Sequence, residues 1–294
     1  MDEQLNRLLV TQDGVATTGQ LLNFMSNREL VFKLRTGQLQ RIWYGVYGRP
    51  DPDLATRLRA LDVWTGSRVA VCFGTAAAMH GFDTEDARQV HILNPPGHQV
   101  RSARGLVVHR REDIPLSMVQ GRRATTPAWT AVDVARTVKR PRALATLDAA
   151  LRSRTCTAGG LAHAAALQAG RRGIVAVRDL LPLASSLAES PMESEARLVM
   201  HDGGLPEPTL QYEIVDRNSR IWRVDFAWPD RRVAAEYDSV EWHGDAEALR
   251  RDRMRYQALR ELGWIVVPIL ADDVRRHPGD LVRRIRVELQ RAAA

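Results

Sequence analysis

Lysine is nearly absent from this chain. It occurs only at Lys33 and Lys139, so the positive side of the +7 formal charge is almost wholly arginine. Arginine does not deprotonate in proteins, and with no lysine beyond Lys139 a lysine general base is excluded from the last part of the sequence. Cysteine is scarce too. Cys72 and Cys156 lie far apart with neither a C-x-x-C nor a Cys/His metal spacing, which excludes a disulfide framework and a zinc ribbon and leaves two reduced, partly buried thiols as the expectation. No run approaches the ~20 apolar residues of a membrane span. The acidic start Met1-Asp2-Glu3-Gln4 lacks the basic n-region of an export signal, so the expected location is cytoplasmic.

What is present suits two or three globular domains: 294 residues, 45% hydrophobic and 26% charged. The sequence pI near 10.1 favours a polyanionic partner, because neutralised phosphates release counterions. An arginine-rich composition also arises from genomic base composition, with no more than a basic surface as its result.

The first fifty residues have the pattern of a winged helix-turn-helix. Leu5, Leu8 and Leu9 give a helical period from Asp2 to Val10, which Asp13-Gly14 ends. Thr17-Thr18 caps a second helix through Leu21, Leu22 and Phe24. Ser26 caps a third, Asn27 to Thr36, with Leu30, Val31 and Leu34 inward and Gly37 as its stop. A hairpin from Leu39 to Tyr47, turning at Tyr44-Gly45, supplies the wing. Such a fold places its second motif helix in the major groove of double-stranded DNA. Asn27 and Arg28 are then candidates for base edges, and Lys33, Arg35, Arg41 and Arg49 for phosphates. The same pattern also suits a solvated basic face or protein contacts.

Residues 51–186 alternate helix and strand signals as an α+β middle region. Helices are expected from Leu54 to Trp64, over Thr75 to His80, from Pro127 and from Ala143; strands are expected at Ser67–Cys72, Val90–Leu93 and Leu106–His109. His80, His91 and His109 sit on separate elements without ligand spacing.

Residues 187–294 carry the chemistry. Ser190-Pro191-Met192-Glu193 has the form of a capping box, so Glu193 either bonds the Ser190 amide or serves a site. Two strands joined by Pro229-Asp230-Arg231 follow. Alternation puts Trp222, Val224, Phe226 and Trp228 on one face and Asp225 on the other, where Glu236 and Asp238 of the second strand can join it. Clustered carboxylates raise one another's pKa unless a cation or arginine compensates. As an oxygen ligand set, Asp225, Glu236 and Asp238 suit Mg²⁺ or Mn²⁺, which would activate water against a phosphodiester. In an arginine-rich helix from Leu249 to Leu262 most arginines are expected to face solvent and one, Arg251 or Arg255, to face the site, as counter-charge to the acids or against phosphate; an apolar strand, Trp264 to Ile269, follows.

Val224-Asp225-Phe226-Ala227-Trp228, Ala235-Glu236-Tyr237-Asp238, Trp242-His243 and Leu262-Gly263-Trp264 resemble, in order and spacing, the very-short-patch-repair-like branch of the PD-(D/E)XK nucleases. Gly14-Val15-Ala16-Thr17, Gly37-x-Leu39-x-Arg41 and Tyr44-Gly45-Val46-Tyr47 resemble the type IV antitoxins of the AbiEi family, and the domain order is similar to that of actinobacterial, including mycobacterial, proteins. The resemblance implies a mixed α/β chain: a winged helix (1–50), an antitoxin-like middle (51–186) and a restriction-endonuclease-like mixed sheet flanked by helices (187–294). It implies Asp225 and Glu236 as metal ligands, Glu193 as the helical acid, and His243 as a proton-transfer group. It departs at Asp238, where the motif has lysine. Two functions follow. One is a DNA-binding antitoxin and autorepressor, a homodimer or a partner of a nucleotidyltransferase-like toxin, that needs no cofactor. The alternative is a Mg- or Mn-dependent endonuclease using Asp225, Glu236 and His243.

Overall fold

The computed structural model describes residues 3–82, 84, 89–238 and 246–292. It is a mixed α/β protein with several small sheets, as expected, and it divides into two compact units, Met1–Thr130 and Ala131–Ala294.

In the first unit, α1 (Glu3–Thr11) leads into β1 (Val15–Thr17), α2 (Thr18–Leu22) and α3 (Asn27–Arg35). Both short helices open on reciprocal capping boxes, Thr17 with Gln20 and Ser26 with Glu29, which satisfy amides that a helix start leaves free. β2 (Gln40–Trp43) and β3 (Val46–Gly48) complete an antiparallel sheet of order β1-β3-β2, turning through Gly45 at φ 68°. Leu5, Leu9, Ala16, Leu21, Leu30 and Leu39 close one core beneath it. Two expectations fail here. α2 ends at Leu22, leaving Phe24 exposed, and Val31 is 63% exposed instead of inward. Leu30 and the half-buried Leu34, four residues apart, already fill the inner face of α3, and Val31 lies a hundred-degree step beyond Leu30.

α4 (Leu54–Thr65) is capped by Asp53 and ended by left-handed Gly66, and α5 (Phe73–His80) is ended in the same way by Gly81. β4 (Val90–Leu93) and β5 (Leu106–His109) pair in parallel. The strand expected at Ser67–Cys72 is an extended segment with bridges only at Val71, to Ile92 and Ala124. β6 (Leu116–Val119) and β7 (Arg122–Thr125) form a hairpin that the sequence reading does not contain. Gln120 (φ 48°) and Gly121 (φ 71°) make its turn, the positive-φ pair that a tight hairpin requires. Arg122 donates to both oxygens of buried Asp62 at 2.8 and 2.7 Å, tying the hairpin to α4.

α6 (Pro127–Ala135) spans the division between the units. The second unit continues with α7 (Arg140–Arg152), α8 (Ala158–Leu167), α9 (Ile174–Leu180) and α10 (Pro191–Asp202). α7 and α10 are joined by buried charge: Asp148 accepts from Arg197 at 2.6 Å and from the Ser185 amide at 2.8 Å, while Glu195 accepts from Arg142 at 3.0 Å.

The sheet of this unit has the order β11-β10-β9-β8, with β8 (Thr209–Val215), β9 (Ile221–Trp228), β10 (Val233–Tyr237) and β11 (Ile265–Ile269). β8, β9 and β10 are antiparallel; α11 (Ala246–Glu261) crosses over to set β11 parallel to β10. Phe226, Trp228, Val233, Ala235 and Val267 bury one face with residues of α10, α12 (Ala271–Arg275) and α13 (Pro278–Arg291). Val224, Ala227 and Ala234 bury the other with Leu259 of α11. The expected alternation along β9 therefore holds from Asp225 to Trp228 but inverts before it, because Trp222 and Val224 pack with Ala227 and not with Phe226. The reason lies opposite, where Gln211 at the centre of β8 has φ 50° and drops out of the ladder between Leu210↔Phe226 and Tyr212↔Val224. β11 is an edge strand with Ile265 and Pro268 exposed, not a fully buried one.

Candidate functional site

On α3, Asn27, Arg28, Val31, Phe32 and Arg35 line one open surface, and all five are exposed. The capping box fixes the start of this helix, and Leu30 and Leu34 hold its inner side, which turns the other face outward. The other basic candidates diverge. Lys33 is half-buried and turns toward Gln38 at 3.4 Å. Arg41 lies over the ring of Tyr44, 5.1 Å from its centroid, at the hairpin turn, and Arg49 bonds Asn6 of α1.

In the second unit, Glu193, Asp225 and Glu236 come together. β9 and β10 part at this point: the ladder stops at Ala235↔Phe226, and Asp225 accepts the Tyr237 amide N–H at 2.9 Å, a backbone donor that the ladder leaves unpaired. Gln211, which the sequence reading misses, donates its side-chain amide to Glu193 at 3.0 Å and to Asp225 at 3.4 Å. Its left-handed backbone costs about 1–3 kcal/mol and persists only where surrounding structure determines it. The available signal was a polar residue between Leu210 and Tyr212, opposite Asp225. Glu193 accepts from the Glu189 amide at 2.8 Å, so its capping bond goes to Glu189 and not to the Ser190 amide, one of the two roles the sequence left open to it. The Ser190 hydroxyl does accept the Glu193 amide.

Arg255 of α11 bonds Glu236 and the carbonyl of Arg223. Burial raises the carboxyl pKa of Glu193 and of Asp225 above their ordinary values. Burial also pushes Glu236 up to about 7, against the pull of Arg255. Asp238 is exposed. Among the described residues no group of three or more His, Cys, Asp and Glu side chains is arranged to hold a metal ion, and the buried carboxylates take amide and guanidinium donors instead. His243 lies outside the described residues.

Histidines meet elsewhere. The parallel pairing of β4 with β5 brings His91 Nδ1 to 3.0 Å from His109 Nε2, although the sequence offered no ligand spacing. Phe73 stacks on His109 with centroids 4.2 Å apart. His80 bonds the Thr125 carbonyl at 2.8 Å. Burial pushes the Cys156 thiol up to about 11, which keeps it protonated near neutrality.

Residues 69–183 match the family model described as the AbiEi antitoxin C-terminal domain. Over 268 residues the chain is 56% identical to the uncharacterized protein Rv2248 of Mycobacterium tuberculosis strain H37Rv, covering 91% of this chain and 98% of the relative. The uncharacterized protein MT2308 of strain CDC 1551 gives the same figures. The chain carries an AbiEi antitoxin C-terminal domain over residues 69–183 and belongs to one family with these two mycobacterial proteins.

An AbiEi domain supports an antitoxin role in a toxin–antitoxin pair. The matched segment runs from the bridge at Val71 through the β6–β7 hairpin and α7 to α9. It lies beyond residues 14–47, on which the resemblance to AbiEi antitoxins rests in the sequence, so the domain match comes from a different stretch of chain. No helix among the described residues is long and apolar enough to cross a membrane.

Proposed function

We propose that this protein is a DNA-binding antitoxin that represses its own promoter, with the unit at residues 1–50 acting as a winged helix. The carrying observation is the exposed face of α3, where Asn27, Arg28 and Arg35 line one open surface, together with Arg41 over Tyr44 at the turn of the β2–β3 hairpin. In this reading Arg28 and Asn27 meet base edges, and Arg35 and Arg41 meet phosphates. A nucleotidyltransferase-like toxin and a second copy of the chain are the proposed protein partners, in the cytoplasm.

The test is a gel-shift titration on the DNA upstream of the gene. Binding is expected to prefer that fragment over unrelated duplex and to be unchanged by a chelator. Arg35→Ala is expected to flatten the log–log salt dependence by about one unit, whereas Arg28→Ala costs about 1–3 kcal/mol and narrows the preference between fragments. Equal affinity for both duplexes across salt concentrations contradicts the reading.

A second reading, as an endonuclease with the nuclease-type fold proposed for residues 187–294, is favoured by the meeting of Glu193, Asp225 and Glu236. Asp225, Glu236 and Asp238 are its proposed Mg or Mn ligands and His243 its proton-transfer group. The acids do not fit a metal as arranged, because Tyr237, Gln211, the Glu189 amide and Arg255 already occupy them, and no step is assigned through one. Mg²⁺- or Mn²⁺-dependent nicking that Asp225→Ala abolishes is the result that establishes this reading; intact duplex, mismatched and single-stranded substrates count against it.

A further inference from the structure

We propose that Val31 and Phe32 read thymine methyl groups in the major groove, adding an apolar element of base recognition to the arginine contacts. This rests on the DNA-binding reading above. Val31 is 63% exposed and Phe32 52%. Both lie on the surface shared with Asn27, Arg28 and Arg35. The core of α3 does not use them, since Leu30 and Leu34 face the packed side. A face that met only solvent would gain nothing from two large apolar side chains, and one that met only phosphate would gain nothing from them either.

The occupant must offer apolar groups inside a field of negative charge. Duplex DNA does so in its major groove, where the C5-methyl of thymine is the one apolar group on the base edges and phosphates flank it. A helix such as α3, about 10–12 Å across with its side chains, fits a groove about 12 Å wide. Arg28 and Arg35 stand toward opposite ends of the helix, placed to anchor it on either side of the apolar pair.

Methyl groups can be removed from the DNA without touching the protein. The upstream fragment is prepared with thymidine or with deoxyuridine throughout, and both are titrated with the full-length chain and with Val31→Ala/Phe32→Ala, whose fold is checked by its melting temperature. The wild type is expected to lose roughly tenfold or more in affinity on the deoxyuridine duplex, in line with the cost of altered base pairs in a specific site. The double variant is expected to bind the thymidine duplex more weakly and to discriminate between the two by less than about twofold. Wild-type binding that is strong on both duplexes overturns the methyl readout while leaving DNA binding intact. A variant that discriminates as the wild type does overturns it as well, by moving the readout to other residues. No binding to either duplex at low salt removes the DNA-binding reading itself.

Discussion

Asp148→Ala is expected to destabilise the second unit by about 3–5 kcal/mol, the cost of removing one partner from a buried ion pair. Asp148 has no exposed surface. It takes the Arg197 guanidinium from α10 on one oxygen and the Ser185 amide on the other, so it fastens α7, the segment after α9 and α10 at one point. Alanine leaves a guanidinium with only 11% of its side-chain surface exposed and no carboxylate to meet, and leaves the Ser185 amide without its acceptor. Asp148→Asn keeps that acceptor and is expected to cost less. An Asp148→Leu/Arg197→Met double variant, which leaves no lone charge, is expected to recover most of the loss. Urea unfolding supplies the energies, and hydrogen exchange of α10 amides locates them in this unit. A loss below about 1 kcal/mol for Asp148→Ala, within the ordinary effect of one hydrogen bond, contradicts the role given to the pair.

The second large effect depends on pH. Burial raises the Glu236 pKa from an ordinary 4.5 to about 7. The folded chain therefore holds this proton more tightly than the unfolded chain does. Its contribution to stability is complete below about 4.5 and is lost as pH rises through about 7. A shift of that size corresponds to on the order of 3 kcal/mol between the two ends of the window. Glu236→Gln removes the titration, so the variant is expected to match wild type near pH 5 and to exceed it in stability at pH 8. Arg255, freed from Glu236, is half-buried and can turn to water, which limits the offset. Asp225 stands close enough to Glu236 to interact with its charge, and Glu193 to Asp225 in turn, so the wild-type midpoint belongs to the cluster. Parallel stability curves for wild type and variant from pH 5 to 8 contradict this account.

The parts of the fold set by local chemistry were legible in the sequence. Ser26 before Asn27, Gly81 after His80 and Pro229-Asp230-Arg231 between two strands each carry their own reason for a boundary. Elements set by distant partners were not. The segment at Val71 has the composition of a strand but makes only single bridges. The β6–β7 hairpin turns on Gln120-Gly121, and glutamine gives little notice of a positive φ. Val31 misled because an apolar residue beside Leu30 fits a helical stripe equally well on either side of it.

The acidic site follows the same division. Asp225 and Glu236 were readable from alternation, and Arg255 was one of two arginines considered for counter-charge. Gln211 was not readable, because its place depends on a left-handed backbone inside a strand that composition does not signal. That kink also inverts the packing of Trp222 and Val224, so one unread residue accounts for both the missed contact and the misplaced faces.

The two outer strands of the second-unit sheet are each interrupted. Pro268 in β11 has no amide hydrogen to offer a neighbouring strand, and the turn of Gln211 breaks the straight run of β8. An intact outer strand is a template on which further chains can add and aggregate. These two residues deny the sheet such a template on either side, so crowded copies of the protein are guarded against fibrous association at the sheet that also holds its buried acids.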